Sequence, residues 1–400
     1  MAGARVSPGR LIAVTAAAAA LVLLAREAQA QSATEAATAA FRDDVHASAK
    51  LTCASCHTEA ATAEPVYRSP PRTDIAAMCA RCHGDAAYMR QFAPQVRIDQ
   101  MSQYLTSTHG KRMAAGDDRT ATCSDCHGAH GVQRVADARS PVAPPNVANT
   151  CARCHGDEAR MTPFGRTAAP PADWGASVHA SALLARGDTS APTCSSCHGS
   201  HGATPPGVTE VANVCAQCHL REAELFQASP KKAIFDAIGQ GECIVCHSNH
   251  RIEPPADAWI GLQEGTVCAQ CHDNDLGGAG TIRTMRENLD RLSAGVSSAD
   301  AALARAEHAG MLVDDGRSAL RDAREHQVQS RVLVHTFAAE PFARTSAEGA
   351  ASARRAQEAG NAAMRELEFR REGLGVAILL ILAFLVTLGL KIRRLPPSAP

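Results

Sequence analysis

The residues best suited to chemistry are the cysteines and the histidines that follow them. All sixteen cysteines fall into eight CxxC pairs, and a histidine follows each pair at once. The cysteines are Cys53, Cys56, Cys79, Cys82, Cys123, Cys126, Cys151, Cys154, Cys194, Cys197, Cys215, Cys218, Cys243, Cys246, Cys268 and Cys271. The histidines are His57, His83, His127, His155, His198, His219, His247 and His272. Two thiols beside an imidazole can hold zinc, form a disulfide, or attach a haem through thioethers while the imidazole ligates iron.

The histidines decide among these three chemistries. Two CxxC pairs about 15 to 20 residues apart also describe a zinc ribbon, and the separations here fall near that range. Neither a zinc ribbon nor a disulfide needs a histidine after every pair, and histidine makes up only 17 of the 400 residues. The motifs therefore predict eight covalently attached c-type haems (heme c), each ligated on one face by its motif histidine.

The motifs recur in a repeated block. Blocks open at Cys53, Cys123 and Cys194, about 70 residues apart, and a shorter-spaced fourth opens at Cys243. Each block holds two CxxCH motifs separated by a Pro-Pro pair, which interrupts regular structure. Segment 45–272 spends fewer than 30 residues per motif, too few to build a separate apolar pocket around each haem. We therefore expect the haems to pack against one another and to form a path for electrons.

The paired motifs resemble those of the doubled-CxxCH, octahaem type of multihaem c-type cytochrome. The resemblance covers about Val45 to His272 and is carried by runs such as Cys123 to His130 (CSDCHGAH) and Cys194 to His201 (CSSCHGSH). It implies haems with two histidine ligands and a role as a respiratory electron carrier.

Six other histidines of the segment occupy two kinds of position. Upstream of a block's first motif lie His46, His109 and His179, and three residues past a motif histidine lie His130, His201 and His250. Because chemistry in repeats recurs at matching positions, these six are predicted to be distal iron ligands.

Two of the expected distal ligands are missing from the repeats. Ala60 stands where the first block would carry its post-motif histidine, and segment 234–238 lacks the upstream histidine of the fourth. The substitutes considered are His308, His326 and His335, with Lys232 or Met78 as weaker candidates. Val328 and Val332 would share an apolar helical face with His335, so we expect His335 to be a distal ligand and the other two histidines to lie at the surface.

Both ends of the chain carry membrane-related features. Arg5 and Arg10 precede an apolar run at 11–24, and Ala28-Gln29-Ala30 is a small-x-small cleavage pattern, so residues 1–30 predict a signal peptide. An uncleaved anchor is the alternative. The uncharged segment 373–390 is long enough to be a transmembrane helix.

Export determines the expected orientation, because basic residues flank the span on both sides. The haem segment should lie on the periplasmic side of the cytoplasmic membrane, and residues 391–400 should form a cytoplasmic tail.

Segment 281–372 is predicted to be helical. Apolar residues from Ile282 to Ala306 alternate at spacings of three and four, which predicts a first helix with a seam for a partner. A second helix should run from about Asp314 to Ala339, and a third should start near Thr345 and continue into the membrane.

The expected fold is therefore mainly α with much irregular structure. It comprises a haem array (31–275), a helical hairpin or coiled-coil domain (281–372) and one transmembrane helix.

Two functions fit these features. One is an electron carrier between a quinol-oxidising membrane subunit and periplasmic cytochromes or outer-surface acceptors. The other is a reductase or oxidase of a small nitrogen or sulfur compound, which needs a haem with an open axial position. All eight motifs are plain CxxCH without a CxxCK variant, and this favours the carrier and assigns no catalytic residue. The formal net charge of -1 gives no indication of a nucleic-acid partner.

Overall fold

The computed structural model describes residues 34–59, 67–206, 211–274 and 277–393. The expected signal peptide, Ala60 and most of the expected cytoplasmic tail lie outside the described residues. The chain divides into two compact units. The first unit comprises Met1–Gly207 with Ser248–Pro254, and the second unit comprises Val208–His247 with Pro255–Pro400. The division thus falls within the haem-binding segment.

The first unit consists of short helices joined by irregular segments, as the sequence predicts. Its α-helices are residues 34–42, Val45–Ser48, Arg72–His83, Ala86–Met89, Gln100–Thr106, Thr108–Ala114, Cys123–His127, Val147–His155, Glu158–Met161, Pro170–Gly175, Val178–Ala180 and Cys194–His198. Shorter turns of helix are Cys53–Ser55, Pro144–Asn146, Thr162–Phe164 and Ser181–Ala185. Strands Thr58–Glu59 and Tyr67–Arg68 pair antiparallel, with Thr58 opposite Arg68.

Local hydrogen bonds explain why the first motifs of three blocks adopt helical turns. A threonine precedes each of these motifs, and its backbone N–H donates to the side chain three residues further on. The pairs are Thr52 with Ser55, Thr122 with Asp125, and Thr193 with Ser196. This half of a capping box starts the turn at the first cysteine, and in the second and third blocks the turn ends at the motif histidine.

The second unit combines short helices around its motifs with three long helices. The short α-helices are Val211–Ala216, Leu220–Gln227, Pro230–Ile238 and Ile244–His247, with 3-10 turns at Asp257–Trp259 and Cys268–Gln270. The first long helix is Ala279–His308, the second is Asp314–Leu333, and the third is Ala339–Arg393, with 30, 20 and 55 residues.

The three long helices share one apolar core, in place of the expected two-helix hairpin. Leu292 and Leu303 of the first helix, Leu320 of the second and Ala356 of the third are buried together. Small residues let the third helix approach closely: a Cβ at Gly360 would lie 2.8 Å from the carbonyl carbon of Ala302. The apolar seam of the first long helix therefore packs against the third long helix as well as the second, and the periodicity of the sequence did not identify this additional partner.

The end of the second helix and the start of the third differ from the expected positions. The second helix ends at Leu333, and a 3-10 turn at Val334–Thr336 follows it. Phe337 then adopts a left-handed conformation with φ 49°, which redirects the chain. The third helix begins before Pro341, because a proline in the first helical turn removes no intrahelical hydrogen bond. This helix is long and apolar enough to cross a membrane, and its apolar residues 373–390 are exposed.

Candidate haem-binding site

Six motif histidines each face a second histidine at nearly the same distance. The ring centroids are 5.8 to 6.1 Å apart in every pair. The pairs are His83 with His46, His57 with His130, His155 with His109, His127 with His201, His198 with His250, and His247 with His335. The first five pairs lie in the first unit and the last lies in the second.

This spacing fits a metal ion held between the two rings. An imidazole nitrogen lies about 2.0 Å from a transition metal and about 1.1 Å from its own ring centroid, so two ligating rings should have centroids about 6.2 Å apart. Direct aromatic contacts would spread over a wider range of about 4.5 to 7 Å. The residues therefore fit haems that carry a histidine on each face.

The pairs follow one register along the chain. An upstream histidine faces the second motif of its own block, as His46 faces His83 and His109 faces His155. A post-motif histidine instead faces the first motif of the preceding block, as His130 faces His57. Consecutive blocks of the first unit thus complete one another's sites.

Each upstream position is set by a buried capping residue two positions before it. Asp44, Ser107, Ser177 and Ser229 are all buried, and their side chains accept backbone N–H groups of the helical turn that follows. The residues at the position itself are His46, His109, His179 and Lys231. The fourth block therefore carries a lysine where the other three carry a histidine.

A second hydrogen bond recurs between blocks of the first unit. The residue before an upstream histidine donates its N–H to the carbonyl two residues past a post-motif histidine. The bonds are Val45 to Val132 at 2.9 Å, Thr108 to Ala203 at 3.0 Å, and Val178 to Ile252 at 2.9 Å. These bonds hold the two classes of distal histidine in a fixed relation.

Burial favours the ligating form of the imidazoles. It is the main cause that lowers the pKa of His83, His109, His127, His155 and His247. A neutral imidazole is the form that binds a metal.

His335 is placed by the 3-10 turn rather than by the apolar helical face that the sequence suggested. Its ring lies 6.1 Å from that of His247, whereas Val328 is exposed. The Nδ1 atom of His335 lies 2.9 Å from the carbonyl oxygen of Val332, which fixes the ring and directs Nε2 away from this bond.

The other candidates for a distal ligand lie elsewhere. The side chain of Lys232 pairs with Asp236 and Glu242. Met78 lies in the helix that ends at His83, and His308 is exposed at the end of the first long helix. The ring of His326 lies 3.4 Å from the carboxylate of Glu348.

Lys231 is a residue near a motif histidine that sequence reasoning missed. Its Nζ atom lies 2.6 Å from Nε2 of His272. The signal was present in the sequence: Ser229-Pro230-Lys231 matches the Ser-x-His pattern of Ser107 to His109 and of Ser177 to His179.

Cysteines of successive motifs are neighbours in two alternating ways. Between blocks, first cysteines meet: hydrogen bonds with Cys79, Cys151 and Cys243 lower the pKa of Cys123, Cys194 and Cys215, respectively, to about 7. Within the first and second blocks, the second cysteines of the two motifs lie near each other. Burial is the main cause that raises the pKa of Cys56 and Cys126, and the charges of Cys82 and Cys154 contribute. As thioethers, these sulfurs would hold their haems close together.

Repeated CxxCH motifs with paired imidazoles define a multihaem c-type cytochrome. The family model described as cytochrome c3 matches residues 45–156 and 186–273, which together make up half of the chain. The chain belongs to the cytochrome c3 family, and its haems are covalently bound c-type haems. The comparisons with curated proteins and with solved structures found no match.

Proposed function

We propose that this protein is a membrane-anchored octahaem cytochrome that, within each of its two units, conducts electrons from haem to haem in the order of the motifs. The observation that carries the proposal is the alternating contact of cysteines from successive motifs. In the first unit these contacts link the sites of His57, His83, His127, His155 and His198 in chain order. In the second unit they link the sites of His219, His247 and His272.

The paired histidines are assigned as the two axial ligands of six haems. The distal ligands are His46, His109, His130, His201, His250 and His335. His179 occupies the same register position as His46 and His109 and is given the same role. The recurring spacing of 5.8 to 6.1 Å supports these assignments.

Bound haem would supply one-electron redox chemistry, and the residues of the chain would control it. A histidine on each face would close the iron to small molecules, so a site of this kind would exchange electrons instead of binding a substrate. Burial lowers the pKa of His83, His109, His127, His155 and His247, which favours the neutral form of these imidazoles. The capping residues and the bonds between blocks hold the distal rings in place, so that little rearrangement is needed when the charge of the site changes.

The third long helix is proposed as the anchor, with the haem segment on the periplasmic side. Its exposed apolar residues 373–390 support insertion in a bilayer. The partners proposed are redox proteins: a quinol-oxidising membrane subunit, and periplasmic cytochromes or outer-surface acceptors.

Intact-mass measurement of the mature protein tests the haem assignment. It should give eight haem additions, and replacing both Cys194 and Cys197 by alanine should leave seven, because attachment depends on the two thiols of each motif. Replacing Ser195 and Ser196 of the same motif by alanine is the matched control and should leave eight. Bound zinc with free thiols would contradict the proposal.

Truncation after Arg371 tests the anchor. The shortened protein should move from the membrane fraction to the soluble fraction with all eight haems, since the removed segment carries no cysteine or histidine. A truncated protein that stays in the membrane fraction would show that something other than this helix holds it there.

A further inference from the structure

The side-chain amine of Lys231 has different contacts from that of Lys232, its neighbour in the chain. Lys232 is paired with two carboxylates, Asp236 and Glu242. Within the described part of the chain, no ion pair joins Lys231 to a carboxylate, and its Nζ lies 2.6 Å from Nε2 of His272 and 5.7 Å from the centroid of the Phe337 ring. The Lys231 amine is therefore directed at a motif histidine.

The capped helical turn that carries Lys231 is built like the turns that carry the upstream histidines in the other blocks. We call this turn, with its buried capping residue, the backbone frame. Ser229 is buried, and its hydroxyl accepts the N–H of Lys231, as Asp44 accepts the N–H of His46. This frame brings His46 to the second motif of its block, and it brings Lys231 to His272, the histidine of the second motif of the fourth block.

The one departure from that frame has a structural reason. Pro230 precedes Lys231 and has no N–H to donate, so the hydrogen bond between blocks cannot form here. Phe337 stands two residues past His335, just as Val132, the acceptor of this bond in the first block, stands two residues past His130. Its ring instead contacts Phe226 edge-on, with centroids 6.1 Å apart, and lies near the Lys231 amine. His335 and Lys231 thus stand in the relation that His130 and His46 have in the first block.

We propose that the Lys231 amine is the sixth ligand of the haem attached at Cys268 and Cys271, opposite His272. The proposal rests on the proposed function, because it requires a haem at that motif. Two nitrogens that hold one iron from opposite faces lie about 4.0 Å apart, so the Lys231 amine would withdraw from its 2.6 Å contact with Nε2 of His272, which a flexible lysine side chain allows. A metal binds such an amine in its deprotonated form. Axial-ligand identity is one of the means by which a protein sets the properties of a haem, so this haem should differ from the seven with histidine ligands.

The test compares spectra of the full-length, haem-loaded protein and three variants. The unaltered protein should be low-spin at all eight haems, with one near-infrared magnetic circular dichroism band of histidine–amine type and no carbon monoxide binding. Lys231→Ala should gain a high-spin signal and bind carbon monoxide at about one haem in eight. Lys231→His should remain low-spin and lose the amine band. Lys232→Ala is the matched control and should match the unaltered protein.

Two results would overturn the lysine ligand. One is a high-spin haem in the unaltered protein that binds carbon monoxide and is unchanged by Lys231→Ala; this would instead support the reductase hypothesis for an open haem. The other is an eighth bis-histidine signal that persists in Lys231→Ala. Haem counts from intact mass separate these results from a failure of the proposed function, since in both results the count stays at eight.

Discussion

The two units pair their motif histidines with a second histidine by different means. In the first unit, the first-motif histidine of a block faces a post-motif histidine of the next block, as His57 faces His130 and His127 faces His201. In the second unit no further block follows, and His335 of the helical region faces His247. The comparison shows that a repeat whose sites cross block boundaries needs a different segment at its end.

The helical region of the second unit therefore contributes a histidine of its own to these pairs. Its fully buried core sets the position of the turn that carries His335. In the first unit, short capped turns carry the upstream histidines, and a small apolar cluster of Trp174, Ala180 and Leu183 lies near His179 in the chain. The two units should respond differently when a core residue is removed.

The largest effect on stability is expected from Leu303→Ala. Leu303 is fully buried among the three long helices, so its truncation should lower the free energy of unfolding of the second unit by about 2–5 kcal/mol. Chemical denaturation followed by circular dichroism measures this loss. Leu312 is 87% exposed in the same unit, and Leu312→Ala should change the free energy by less than about 0.5 kcal/mol. Equal losses in the two variants would contradict the proposed role of the core.

The next effect concerns single haems. His335→Ala should keep eight covalent haems yet gain a high-spin signal and carbon monoxide binding at about one haem in eight, because attachment uses only the motif residues. His201→Ala should do the same in the first unit, which makes it the matched test of equivalence. His308→Ala is the control and should leave the spectrum unchanged. If only His201→Ala opens a haem, the helical region does not replace a repeat.

The smallest effect is expected at the capping serines. Ser177 and Ser229 each accept a backbone N–H of the turn that follows, at 3.2 and 3.3 Å. Ser177→Ala and Ser229→Ala should each cost about 1 kcal/mol of unfolding free energy while all haems remain low-spin. Thermal unfolding measures the cost. A loss confined to one of the two variants would show that the fourth turn is built differently from the other three.

Several features could be predicted from the sequence because they depend on local chemistry. Haem attachment needs only two cysteines and a histidine in one turn, and the apolar helix at 373–390 needs only length and composition. The bounds of the long helices were harder to predict from the sequence. Pro341 was expected to precede the third helix, but a proline fits within a first helical turn, and the third helix also supplies the partner that the seam required.

Sequence alone identified the residues that are proposed to attach haems and the histidines that are available to complete the sites. Tertiary structure decided which distal residue faces which motif, because the choice depends on hydrogen bonds between blocks, such as that from Val45 to Val132, that join residues far apart in the chain. It also decided that Lys231, and not Lys232, approaches His272. Adjacent residues on a helix point in different directions, so the buried cap at Ser229 fixes which of the two amines reaches the site.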